Sequence, residues 1–272
     1  MNCFEKLLYL LQGEMNTPQV FGLYHCFWLI LSFIFIIILY SKENKYSEKK
    51  LKTVLGVYSI IAFILELLKQ LIWAFNYDPV ANIVTWDYEW YSFPFQLCTT
   101  PIYVCLICLF LKKNNIRKFL LSYITYITIL GSIATMIMPS SCFVSDILVN
   151  IHTMWLHCGS FVVSVYLLLS GEVELNKQNL KSASVVFLFF VLIAEFLNII
   201  IYNIEILNGE TFNMFYISPY FESTLPVFDI IWNNVPYIVF LLIYIFAIIF
   251  GGYLIYLIGL FFKKLNIKFL NS

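Results

Sequence analysis

The chain has 272 residues, 61 % of them hydrophobic and only 12 % charged, with a mean hydropathy of +0.86. A soluble domain carries about twice that charged fraction, and a formal net charge of zero points to no nucleic-acid partner. The apolar residues fall in blocks of about 20, the length that crosses about 30 Å of hydrocarbon, so the chain reads as an all-α, polytopic membrane protein with no room for a soluble domain.

Residues 1–19, beginning MNCFEKLLYLLQGEM, are too short and too acidic for a signal peptide and read as an amphipathic segment lying in the interface. Seven spans follow, at about residues 20–40, 51–75, 93–111, 116–138, 148–170, 180–202 and 235–262. Backbone groups in lipid must be satisfied within the segment, so these are helices; the alternating short segments of a barrel are absent. Residues 263–272 form a short tail, and the whole of 1–272 reads as one transmembrane domain.

Basic residues orient the bundle. Lys42, Lys45, Lys49, Lys50 and Lys52 follow the first span; Lys112, Lys113, Arg117 and Lys118 follow the third; Lys177 and Lys181 follow the fifth; Lys263, Lys264 and Lys268 end the chain. The connections after the second, fourth and sixth spans carry none, so 14 of the 16 basic residues fall on one side. The positive-inside rule then places the N-terminus outside and the C-terminus in the cytoplasm, as a multi-pass protein of the cell membrane. The outer connections are rich in aromatics (Trp73, Trp86, Tyr88, Trp90 and Tyr91; Phe212, Phe215, Tyr216, Tyr220, Phe221 and Trp232). These fit an interfacial belt, or a cap over a lipid-binding cleft.

The seven cysteines are an odd number, mostly inside apolar blocks, and read as thiols. Cys105 and Cys108 have aliphatic neighbours and read as small hydrophobes. Cys98 is different: it lies in FPFQLCTTP, a stretch too polar to face lipid.

All three histidines and every charge within the spans fall on the outer side of the midplane, joined there by further polar residues: His25 in the first, Glu66, Lys69 and Gln70 in the second, Gln96 and Cys98 in the third, His152 and His157 in the fifth, Glu195 and Asn198 in the sixth. Ionisable groups in a membrane interior are costly and face a cavity. One outward-facing polar pocket therefore accounts for them together. Glu66, Lys69 and Gln70 share a helix face at i, i+3, i+4; the Glu66–Lys69 pair can hold helices in register or present Lys69 to an anionic headgroup. His152 and His157 are about 140° apart around a helix, so one faces the pocket and the other a neighbouring helix. His157, being deeper, is the candidate general base, and His152 a candidate headgroup ligand. The spacing of His25, His152, His157 and Cys98 has no metal-site regularity, and neither a metal nor a cofactor is expected.

On these features the chain resembles the YwaF-like bacterial membrane proteins, which belong with the transmembrane protein 164 family. The resemblance rests on His25, on Pro94–Gln96–Leu97–Cys98 at the start of the third span, on His152 and His157, and on Asn198 with Gly209, Asn213, Met214, Phe215 and Pro219 before the last span. It implies acyl transfer between membrane phospholipids through a Cys–His pair: Cys98 takes the acyl chain as a thioester, and His157 or His152 is the base. Gln96, Asn198 and Asn213 become candidate oxyanion or headgroup donors; His25, Thr99, Glu66, Lys69 and Glu195 complete the candidate substrate-binding set. Thr99 departs from the family pattern, which has a histidine after the cysteine. The alternative is a pocket that holds a lipid or a small solute without chemistry, as a receptor, scaffold or transporter. The nearly pure Ile, Leu, Phe and Val of the inner halves argues against transport.

Overall fold

The computed structural model describes residues 1–40, 47–139 and 142–270, with side chains through residue 264. Lys42 and Lys45 of the first basic connection and the last two residues of the tail lie outside the described residues, and Lys268 is described in its backbone alone.

The chain is helical almost throughout. Helix α1 (Cys3–Leu11) opens on a reciprocal capping box between Asn2 and Glu5. It buries Leu8 and leaves Phe4, Leu7 and Leu10 exposed. The Gln12 side-chain amide pins its end to α3 by donating to the carbonyls of Ile72 and Phe75, each at 2.6 Å. The main helices are α2 (Leu23–Tyr40), α3 (Glu48–Ala74), α4 (Thr100–Phe110), α5 (Asn115–Tyr123), α6 (Ile129–Ile137), α7 (Ile147–Leu169), α8 (Lys177–Asn203), a short α9 (Phe228–Asn234) and α10 (Tyr237–Leu270). A π turn over Ile124–Thr128 joins α5 to α6 as one continuous rod. Two short antiparallel strands, Phe75–Asp78 and Ile83–Trp86, form a hairpin after α3 that the apolar blocks do not signal.

Six helical segments are long and apolar enough to cross a membrane: α2, α3, the α5–α6 rod, α7, α8 and α10. This is an integral membrane protein of multi-pass type. The third predicted span is different. Instead of a helix over residues 93–111, residues 93–99 are irregular and α4 has only 11 residues, about 16 Å at 1.5 Å per residue, or half the hydrocarbon thickness. The local cause is plain. Pro101 sits in the first turn of α4, where a missing N–H costs nothing. The Thr99 hydroxyl both accepts from the Gln96 N–H (2.9 Å) and donates to the Gln96 carbonyl (2.9 Å), closing a turn. Tyr103 holds the Pro94 carbonyl at 2.6 Å.

Helix α7 is central, packing against α2, α3, the π turn and α6. Its Gly159 lies so close to Tyr58 of α3 that an added Cβ would sit 2.7 Å from the ring. The two ends of the bundle differ in chemistry. At the basic end the fully buried Arg117 joins Glu48 at the start of α3 to Glu172 in the α7–α8 turn, at 3.1 Å for the latter. Asn114, Asn176 and Ser47 cap the helices that begin there. The opposite end carries the polar cluster described next.

Candidate functional site

Glu66 organises the cluster. It lies on α3 two turns before the helix ends and is 2 % exposed. One carboxylate oxygen meets Lys69 Nζ at 2.8 Å and accepts from Gln70 Nε2, also at 2.8 Å. The other oxygen lies 2.8 Å from His152 Nε2 on α7. That contact has ion-pair distance without hydrogen-bond alignment, so Glu66 Oε2 and His152 Nε2 are both buried without a hydrogen-bond partner. The i, i+3, i+4 spacing seen in the sequence thus produces a shared face, and α7 delivers the histidine to it.

The connection after the hairpin closes over this face. Gln70 Nε2 donates to the Ser92 carbonyl at 2.7 Å, and Lys69 Nζ reaches the same oxygen at 3.4 Å. Tyr88 donates to Gln70 Oε1 at 2.8 Å. Burial, with Glu66 adding to it, pushes the Tyr88 phenol up to about 12, so it stays a neutral donor. Gln70 is grouped with Glu66 and Lys69 by its spacing; Tyr88 and Ser92 are members of the cluster that the sequence did not nominate, and they arrive through loop geometry.

Cys98 stands beside this cluster. Glu66, Lys69 and Cys142 lie within electrostatic reach of its thiol, as do the hydroxyls of Tyr123, Tyr216 and Tyr244. It keeps partial accessibility although it is packed against the main core, whereas Cys105 and Cys108 are fully buried. His157 is buried and within electrostatic reach of His152. Among the described residues no hydrogen bond joins Cys98 Sγ to a histidine. No group of three or more His, Cys, Asp or Glu with the makings of a metal site occurs among them either.

Other candidates are placed elsewhere or are engaged structurally. His25 accepts from the Phe21 N–H at Nδ1 (2.9 Å) and faces the Met136 carbonyl at Nε2 (3.1 Å). These partners require a neutral ring with its proton on Nε2; His25 staples the start of α2 to the end of α6. Glu195 accepts from Tyr237 at the α8–α10 seam, and the same hydroxyl lies 2.9 Å from the Ile217 carbonyl. Gln96, Asn198 and Asn213 hold backbone. Gln96 donates to the Asn213 carbonyl (2.9 Å) and accepts from the Phe215 N–H (2.8 Å). Asn198 brackets Met214 in the same way, at 3.1 and 2.7 Å. Asn213 closes its own loop, accepting from Ser218 N–H at 2.8 Å and donating to the Glu222 carbonyl at 2.9 Å. Thr99 serves its turn with Gln96, as described.

These amides hold a strained segment. Phe215 and Tyr216 both have φ of +59°, a left-handed conformation costly for bulky residues. Phe215 is fully buried and stacks on Phe95 with ring centroids 5.7 Å apart. Phe212 packs edge-on against Trp90 and Phe93, and Glu210 accepts from the Trp90 N–H at 2.7 Å. The aromatics of the two connections therefore divide: Phe212 and Phe215 are core, while Trp86, Tyr91 and Tyr220 remain on the surface. Irregular backbone at membrane depth is tolerated where protein buries it, and here two side-chain amides supply its partners. Asn198→Leu, close in size, leaves the Met214 N–H and carbonyl unpaired; a loss of about 2–4 kcal/mol is expected. Thermal unfolding in detergent measures it, and a change under about 0.5 kcal/mol would show that the segment finds other partners.

Residues 17–256, all but the two ends of the chain, match the TMEM164 family. No curated protein and no solved structure is significantly similar. The match spans every element that builds the cluster, from α3 through the connection after it to α7. A family match over this much of the chain places it in the TMEM164 family.

Proposed function

We propose that the protein transfers or hydrolyses phospholipid acyl chains, with Cys98 as nucleophile, His152 as base and Glu66 as the group that orients the base. The observation that carries this reading is the Glu66–His152 contact at 2.8 Å, with Glu66 also within electrostatic reach of the Cys98 thiol. A nucleophile, a base and a third group that holds the base is the general arrangement of covalent acyl transfer. His152 replaces His157 as the preferred base because the carboxylate partner belongs to His152. The resemblance to the transmembrane protein 164 acyltransferases supports the reaction class.

In the first step the Cys98 thiol gives its proton to His152 and its sulfur attacks the ester carbonyl of the donor lipid. The ester C–O bond breaks, and the leaving alkoxide takes the proton from the imidazolium. In the second, an acceptor hydroxyl gives its proton to His152 and attacks the thioester carbonyl. The C–S bond breaks, the thiolate recovers the proton, and a new ester leaves; with water as acceptor the product is a free fatty acid. For the first step the sulfur and the His152 nitrogen must come within hydrogen-bond distance. Such contacts often tighten only when substrate is bound.

A second reading is a binding site without chemistry. It is favoured by the missing hydrogen bond between Cys98 and a histidine. The two readings separate on one adduct. Protein incubated with a phospholipid carrying an alkyne-tagged acyl chain is expected to acquire a hydroxylamine-labile label that maps to the Cys98 peptide. Protein that binds the lipid and never acquires such a label is a binding protein only.

A further inference from the structure

At the basic end of the bundle lies a second, separate cavity. Helices α2 and α3 both pack on α7 but hardly on each other. The slot between them has a volume of about 300 Å³ and runs from Trp28 and Ser32 toward Leu39 and Thr53. Its floor is Tyr58, Cys158 and Val163, all buried, and its mouth is Phe35 and Val57, both exposed. The hydroxyls and the indole on its wall are all engaged: Ser32 donates to the Trp28 carbonyl at 2.8 Å, Thr53 to the Lys49 carbonyl at 3.0 Å, Tyr58 to the Leu156 carbonyl at 3.3 Å and the Trp155 indole to the Tyr58 carbonyl at 3.1 Å. The slot therefore offers an occupant no hydrogen bond along its length.

Its basic end is different. Lys50, one turn before Val54 on α3, sets its ammonium 2.6 Å from the Leu39 carbonyl and 5.8 Å from the centroid of the Tyr166 ring. An ammonium has three donors, and this contact uses one. Tyr166 follows Val162 and Val163 by one turn on α7, is 5 % exposed, and its hydroxyl has no hydrogen-bond partner. Lys49 and Lys52 add positive charge at the same helix start. The nearby carboxylates are already matched, Glu48 and Glu172 by Arg117, with Lys113 also 3.6 Å from Glu172. An apolar slot with a cation and an unpartnered buried hydroxyl one turn beyond its lining residues has the polarity of a lipid.

We infer that this slot holds one acyl chain of an anionic glycerophospholipid, with the phosphate at Lys50 and Tyr166. The site is distinct from the Cys98 cluster and does not depend on its chemistry. It is tested on the full chain in nanodiscs of phosphatidylcholine doped with phosphatidylglycerol that bears a diazirine at the chain end. After photolysis, adducts are expected on the slot residues in excess over those on the exposed Leu242 and Phe246 of α10. Unlabelled phosphatidylglycerol should compete, and added phosphatidylcholine should not. Lys50→Gln should lower slot adducts about fivefold, the effect of one lysine near an anionic lipid, and leave the α10 adducts unchanged. Val57→Trp fills the mouth from an exposed position and should remove the slot adducts. Equal labelling of slot and α10, equal competition by both lipids, or slot adducts that survive Val57→Trp would each overturn the inference.

Discussion

Cys98→Ala protein, reconstituted into liposomes with a labelled donor phospholipid, is expected to lose acyl exchange by about 10³-fold or more, the scale on which removal of a covalent nucleophile acts. The substitution deletes one sulfur from a partly accessible position, so the bundle should retain its melting temperature within a few degrees. Cys98→Ser is the sharper variant. It preserves size and offers a hydroxyl, a far weaker nucleophile at neutral pH than a thiolate, so it should be nearly as inactive. Cys105→Ala and Cys108→Ala serve as controls. Both thiols are fully buried in the core, and their loss should cost stability rather than turnover. Unchanged exchange in Cys98→Ala would remove the nucleophile and leave the binding reading.

Glu66→Ala carries the largest expected loss of stability. The carboxylate is the contact shared by Lys69, Gln70 and His152, and both Glu66 and Lys69 are more than nine-tenths buried. Removing one partner of a buried ion pair leaves the other charge uncompensated, which costs about 3–5 kcal/mol. Unfolding in detergent should show it. Glu66→Gln separates structure from chemistry. It keeps the shape and an acceptor for Lys69 and Gln70, so it should lose less stability. It cannot support an imidazolium as a carboxylate does, so turnover should fall by about 10²- to 10⁴-fold. A Glu66→Gln protein with full turnover would assign Glu66 to holding α3 against α7 and nothing more.

How legible this was in the sequence depends on the range of the interaction. The bundle follows from apolar block length, because an unsatisfied peptide group in hydrocarbon costs too much for any structure but a helix. Glu66, Lys69 and Gln70 could be grouped from spacing, because 3.6 residues per turn fixes which side chains share a face. The failure at residues 93–99 is equally physical. Composition marked FPFQLCTTP as unsuited to lipid but extended the helix through it. Only the Gln96 amide, bonded to a segment more than 100 residues away in sequence that Asn198 of α8 also holds, makes irregular backbone tolerable there. His25 and Glu195 were grouped with the pocket by depth. Depth is one coordinate of three, and it cannot separate a residue that staples two helices from one that faces the pocket.

What the sequence determined by itself was the class of molecule, its family likeness, and the stretch around Cys98 as too polar to face lipid. What the tertiary structure decided was which polar residues meet. It chose His152 over His157 as the partner of Glu66, and it left Cys98 within electrostatic reach of Glu66 and Lys69. It also turned Gln96 and Asn198 from candidate ligands into supports for the strained Met214–Tyr216 segment. The reason is that a helix fixes the direction of its own side chains, whereas the rotation of one helix against the next is fixed only by packing, here by Gly159 admitting Tyr58 and bringing α7 onto α3.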